Sequence, residues 1–157
     1  MKLLLVVDMQ VGFIVNNEYK LLNDKINSLI KNSDYDKVIF TKFINSKVNN
    51  PLYEQKMGWK GLKTKREQEL SLIVPENAII FEKYGYGLKQ EDLEKIKSFN
   101  IKEIDICGVE ADACVYAVCL QLWDIGIYPN ILINYSLGDI DMKDIYTKQF
   151  GGVDSRE

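Results

Sequence analysis

Histidine is missing from all 157 residues. That absence excludes Ser-His and Cys-His nucleophile pairs and every histidine-based metal site. Acid–base work must fall to carboxylates, lysine, tyrosine or cysteine. Cysteine is scarce: there are three, an odd number, with no Cys-x-x-Cys pair. Such usage argues against a disulfide scaffold and fits a reducing compartment, the cytoplasm. No apolar run is long enough to span a bilayer. The start of the chain shows no small-residue cleavage site of a secretory leader. Basic residues are not in surplus, the formal net charge being -3, so neither nucleic acid nor an anionic membrane is indicated as a partner. Internal repeats, low-complexity tracts and linkers are absent too.

What is present is an ordinary globular composition, 46% hydrophobic and 27% charged. The length suits one domain over residues 1–157 with a substantial core. Leu3–Val7 is a continuous apolar run, as expected of a strand buried on both faces. Further strands are expected at Val38–Ile44, Ala78–Glu82, Ile104–Val109 and Ile127–Ile133. Between them, Leu22, Ile26, Leu29 and Ile30 repeat at helical spacing, as do Leu93, Ile96 and Phe99 before Asn100. Short helices are predicted after Pro51 and, from the capping-box pattern Thr64-Lys65-Arg66-Glu67, over Lys65–Leu72. Asp112 is a plausible N-cap for a helix reaching Ile125 and closed by Gly126, and Asp141–Phe150 reads as the last helix. This alternation implies a three-layer α/β/α domain with a mainly parallel sheet of five or six strands in the order 3-2-1-4-5.

Chemistry gathers at three strand ends. Leu3-Leu4-Leu5-Val6-Val7 runs into Asp8, and Ala78-Ile79-Ile80-Phe81-Glu82 runs into Lys83. The strand Ile104–Val109 leads through Glu110-Ala111-Asp112-Ala113 to Cys114, at the head of an apolar helix. In an open parallel sheet the carboxyl ends of strands converge on the ligand crevice, so an acid, a lysine and a thiol are expected to meet there. Unpaired N–H groups at the helix start, together with a nearby lysine, are expected to lower the Cys114 pKa. Cys107 and Cys119 sit within apolar elements and read as core filler. Phe13, Trp59, Tyr84 and Tyr86 are candidate pocket walls. Gly85 and Gly87 mark either a flexible substrate loop or simply a turn. The stretch Ala113–Leu120 has almost no polar face, as expected of a helix that is deeply buried or covered by a second subunit.

The segments Val7-Asp8-Met9-Gln10 with Phe13, Glu82-Lys83 followed by tyrosines, and Gly108-Val109-Glu110-Ala111-Asp112-Ala113-Cys114-Val115 resemble the isochorismatase-like cysteine hydrolases, which have a Rossmann-like fold and include nicotinamidases and N-carbamoylsarcosine amidases. The last segment carries the family's G-V-x-x-D-x-C-V signature and is the most specific. The resemblance covers nearly the whole chain. It implies a catalytic triad of Asp8, Lys83 and Cys114, an oxyanion hole built from the backbone N–H groups of Glu110 and Cys114, and often a cis peptide before the Glu110 position. It also implies a homo-oligomer acting on a small molecule.

Two departures narrow the expectation. Nicotinamidases carry an Asp-x-His element after the second strand to hold a metal, whereas Thr41-Lys42-Phe43-Ile44-Asn45-Ser46 offers neither residue. No metal and no cofactor are therefore expected, and nicotinamidase activity is disfavoured. The chain also stops soon after Gly151-Gly152, so a sixth strand is expected to be short or missing. The reading is a metal-independent cysteine hydrolase that cleaves an amide or carbamoyl C–N bond through a thioester. A vinyl-ether hydrolase of the isochorismatase type and a non-catalytic member binding a metabolite or a protein are the alternatives.

Overall fold

The computed structural model describes residues 1–157 in full. Five strands form one all-parallel sheet: β1 (Leu3–Val7), β2 (Lys37–Phe43), β3 (Ile79–Lys83), β4 (Glu103–Val109) and β5 (Tyr128–Leu137). Their order is β3-β2-β1-β4-β5, as the alternation of elements predicts. The central strand is buried along its whole length. Because side chains alternate across a strand, Leu3, Leu5 and Val7 enter one core while Leu4 and Val6 enter the other.

Helices cover both faces. The first core packs against α4 (Gln90–Ser98), α5 (Cys114–Asp124) and α6 (Lys143–Phe150) through Leu93, Ile96, Val115, Val118, Leu122 and Tyr146. The second is closed by Leu22, Ile26 and Leu29 of α1 (Asn17–Asn32), whose first turn is capped by the Asn16 side chain accepting from Tyr19 N at 3.0 Å. The short helices α2 (Leu52–Met57) and α3 (Lys65–Gln68) lie in the loops beyond β2. No helix is long and apolar enough to cross a membrane.

Two expectations need correction. The capping box at Thr64 and Glu67 forms, but α3 ends after one turn. The chain is drawn instead into extended contact with the segment after β1, with Val11 N donating to Glu69 O and Ser71 N to Met9 O. Asp112 does not cap α5: the N-cap is Ala113, and the Asp112 carboxylate accepts from Asp139 N at 3.3 Å. As expected, the tail beyond Gly152 forms no full sixth strand, only a single parallel bridge from Asp154 to Leu132. The apolar α5 is largely buried by its own chain, leaving Leu120 and Trp123 exposed.

β1 and β4 approach so closely at their carboxyl ends that a Cβ on Gly108 (φ 122°) would lie 2.2 Å from Val7 O. Only glycine fits there. That contact sets Asp8 and the turn after β4 side by side.

Candidate active site

Asp8 follows β1 directly and is fully buried, in a left-handed conformation (φ 52°) rare for a non-glycine residue. Thr41 on the neighbouring strand holds it there from two sides. Its hydroxyl accepts from Asp8 N at 3.0 Å and donates to Asp8 Oδ1 at 2.6 Å. Lys83, the last residue of β3, is also fully buried, and its Nζ lies 3.0 Å from Asp8 Oδ2. That ion pair lies off ideal hydrogen-bond geometry, so Oδ2, with the Cys114 thiol beside it, keeps a lone pair open. Lys83 donates instead to Gly85 O at 2.8 Å and Tyr86 O at 3.2 Å. The Phe43 ring centroid lies 5.2 Å from the ammonium.

The loop that offers those two carbonyls is tied down. Gln121 on α5 accepts from Leu88 N at 2.8 Å and donates to Leu88 O at 3.1 Å. Gly85 and Gly87 thus belong to a fastened turn, not to a flexible loop.

Cys114 opens α5 in side-chain reach of both Asp8 and Lys83. Burial of a charge disfavours the ionised form. Here it pushes the thiol well above the ordinary cysteine value; Asp8 adds to the rise, and Lys83 opposes it. This corrects the expectation of a lowered pKa: burial and the adjoining carboxylate outweigh the ammonium. For Lys83, burial pulls downward, but Asp8 and then Cys114 raise it, and the net shift is upward. The resting site is a thiol beside a carboxylate–ammonium pair. Cys107 and Cys119 lie in the two cores, as expected, and burial raises both thiols.

The turn from β4 into α5 is held from below by the Tyr146 hydroxyl, which donates to Ala111 O at 2.6 Å. The Val109–Glu110 peptide is cis, as the resemblance suggested. Glu110 O accepts from Ala113 N and Val115 N, whereas the N–H groups of Glu110 and Cys114 donate to no protein acceptor.

Over Cys114 lies a cavity of about 510 Å³, and Phe13, Trp59 and Tyr86 line it as the sequence predicts. Tyr84 does not: Lys89 sits over its ring at 5.0 Å, and its carbonyl accepts from Asn50. Three further residues escape the sequence reading. Phe43 and Tyr53 complete the aromatic wall, and Asp139 lines the cavity beside Glu110. Glu110 brings a carboxylate to the site as well as its backbone N–H. Its carboxylate accepts from the Tyr19 hydroxyl at 2.6 Å. Burial, then the charges of Asp139, Asp112 and Asp8, lift its pKa to about 7 against the pull of Tyr19.

The region after β2 does not fit a transition metal. Thr41 is committed to Asp8, and Asn45 donates through Nδ2 to Trp59 O and Gly61 O. No three Cys, Asp or Glu side chains converge there.

Residues 2–134 match the family model of the isochorismatase domain. No curated protein matches the sequence. Among solved structures, the chain is similar to N-carbamoylsarcosine amidase from Thermoplasma acidophilum, with a TM-score of 0.81 at 20% identity over 98% of this chain and 95% of that one. It is also similar to the nicotinamidase/pyrazinamidase of Bacillus subtilis (TM-score 0.78, 19% identity, 98% of each chain). An isochorismatase-like hydrolase from Alkaliphilus metalliredigens gives a TM-score of 0.77 at 14% identity, over 97% of this chain and 93% of that one. At these identities the likeness establishes a shared fold.

Proposed function

The chain belongs to the isochorismatase domain family, and we propose that it is a cysteine hydrolase that cleaves the C–N bond of a small amide or carbamoyl compound. One observation carries the reading: Cys114 lines the cavity while its other side meets a buried carboxylate, one oxygen of which keeps a lone pair open.

The chemistry follows from that arrangement. As Sγ of Cys114 attacks the substrate carbonyl carbon, the thiol proton passes to Asp8 Oδ2, and no free thiolate is needed beforehand. A raised resting pKa is compatible with this route, because proton and nucleophile move together. The carbonyl oxygen gains charge within reach of the uncommitted N–H groups of Glu110 and Cys114, in the role of an oxyanion hole. Collapse breaks the C–N bond, and the leaving nitrogen takes the proton from Asp8. Water then attacks the thioester, giving one proton to Asp8, which returns it to the departing sulfur. Lys83 stays an ammonium throughout and fixes Asp8 by charge, while Thr41 fixes it by hydrogen bonds.

Mass spectrometry of the protein incubated with a panel of small amides, ureas and carbamates tests the proposal. The expected result is an acyl adduct on the peptide carrying Cys114, with turnover reduced at least about 1,000-fold in Cys114→Ala. Turnover that survives Cys114→Ala refutes it.

A further inference from the structure

We infer that the substrate carries a cationic amine or quaternary ammonium group, held between the aromatic wall and the two carboxylates that line the cavity. This rests on the cavity being the substrate site, as proposed above.

The wall is an interlocked set of rings. Phe43 stacks on Trp59 at 5.6 Å and 18°. Tyr53 meets Phe43, Trp59 and Tyr86 edge-on at 5.0, 5.8 and 5.3 Å. Phe43 and Tyr53 are buried within the set, so Phe13, Trp59 and Tyr86 are the rings whose electron-rich faces a cation can meet. Glu110, half-buried, and Asp139, exposed, line the same cavity, and no lysine or arginine does. Lys83 lies behind, committed to Asp8 and two backbone carbonyls.

Three substrate classes meet this surface differently. An anion encounters two like charges and no free cation. A neutral group strips water from the half-buried Glu110 while offering it no charge partner. A cation neutralises the acids and gains the ring faces together. The raised Glu110 pKa, a consequence of burial and of the acids around it, marks a site short of positive charge. Tyr19 supplies a neutral hydrogen bond to Glu110 Oε2, which orients the carboxylate without satisfying its charge.

Calorimetry on Cys114→Ala, which needs no turnover, separates this inference from the proposed reaction. The probes are 4-(trimethylammonio)butanamide, its neutral isostere 5,5-dimethylhexanamide, and the anion glutaramate. The cation is expected to bind at least about 10-fold tighter than the isostere and about 100-fold tighter than the anion. Glu110→Gln, which keeps an acceptor for Tyr19, is expected to weaken the cation about 10-fold and leave the isostere unmoved; Asp139→Asn acts in the same direction. Equal affinity for the three probes, or no binding of the cation up to its solubility, overturns the inference whether or not amides are hydrolysed. Preferential binding of the cation without hydrolysis by the unmodified protein upholds the inference and counts against the proposed reaction instead.

Discussion

The two ends of the parallel sheet both gather carboxylates around a single cation, yet they do opposite things with them. At the amino end, Arg156 lies 3.3 Å from Asp105 and 2.6 Å from Asp154, with its side chain 38% exposed. Every carboxylate oxygen there has a donor: Tyr35 O–H and Asn130 Nδ2 serve Asp105, and Asn130 and Arg156 serve Asp154. At the carboxyl end, Asp8 and Lys83 are completely dry, and Asp8 Oδ2 keeps a lone pair open beside a thiol and a cavity. A fully satisfied, hydrated cluster ties the tail to the sheet. A dry cluster with one open acceptor is disposed to move a proton. Residue type does not separate the two ends; hydration and the vacant lone pair do.

Neutralising one acid at each end puts that contrast under the greatest stress. Asp8→Asn removes the proton acceptor and leaves Lys83 buried without its counter-ion. Activity is expected to fall about 1,000-fold and stability by about 3–5 kcal/mol. Asp154→Asn keeps a polar group in a partly exposed network and should cost about 2 kcal/mol at most, with activity unchanged. Urea titration and turnover measured on the two variants decide the matter. If the two stability losses prove equal, the division into dry and wet ends is wrong.

A milder pair addresses the neutral partners. Thr41→Val preserves shape but removes both contacts to Asp8. It is expected to cost about 1–3 kcal/mol, because a buried N–H and a carboxylate oxygen lose their partner, and to lower kcat with little change in KM. Tyr35→Phe removes one hydroxyl from Asp105, which keeps Asn130 and Arg156. The expected loss is about 1 kcal/mol, with kcat unmoved. A drop in kcat for Tyr35→Phe comparable with that for Thr41→Val would dissolve the contrast.

Those same residues show what the sequence made legible. Strand order and the meeting of Asp8, Lys83 and Cys114 follow from a local pattern, an apolar run ending in a chemical group, together with the rule that parallel strands open at their carboxyl ends. Asp139 obeys the same pattern, but β5 reaches Leu137, beyond the Ile133 expected from its first apolar run, so the acid at its end went unseen. Thr41 lies within a strand, and only the register between β1 and β2 brings it to Asp8. Tyr19 meets Glu110 across 91 positions of chain, a contact that no local spacing encodes. The Cys114 pKa was misjudged in sign because helix start and lysine are visible in a sequence, whereas depth of burial is not.

Titration gives the sharpest test, since the two ends should respond with opposite sign. In the folded protein, hydrogen bonds from Arg156 first, then Asn130, hold Asp154 down at about 2, below its ordinary 3.8. A depressed carboxylate contributes stability that is complete above its unfolded pKa and is lost as pH falls toward 2. Glu110 is raised from 4.5 to about 7 by burial, with Asp139, Asp112 and Asp8 adding to the rise and Tyr19 opposing it. Between those values the folded state binds more protons than the unfolded one, so stability declines as pH climbs from 4.5 to 7 and levels off above. Subtracting the stability profile of Asp154→Asn from that of the unmodified protein should leave a difference that is constant above about pH 4 and shrinks as the pH falls toward 2. The same subtraction for Glu110→Gln should leave one that falls with rising pH up to about 7. A Glu110→Gln difference that rises with pH instead would mean that the carboxylate is stabilised as an anion, and the cavity would then already hold the positive charge that its walls otherwise lack.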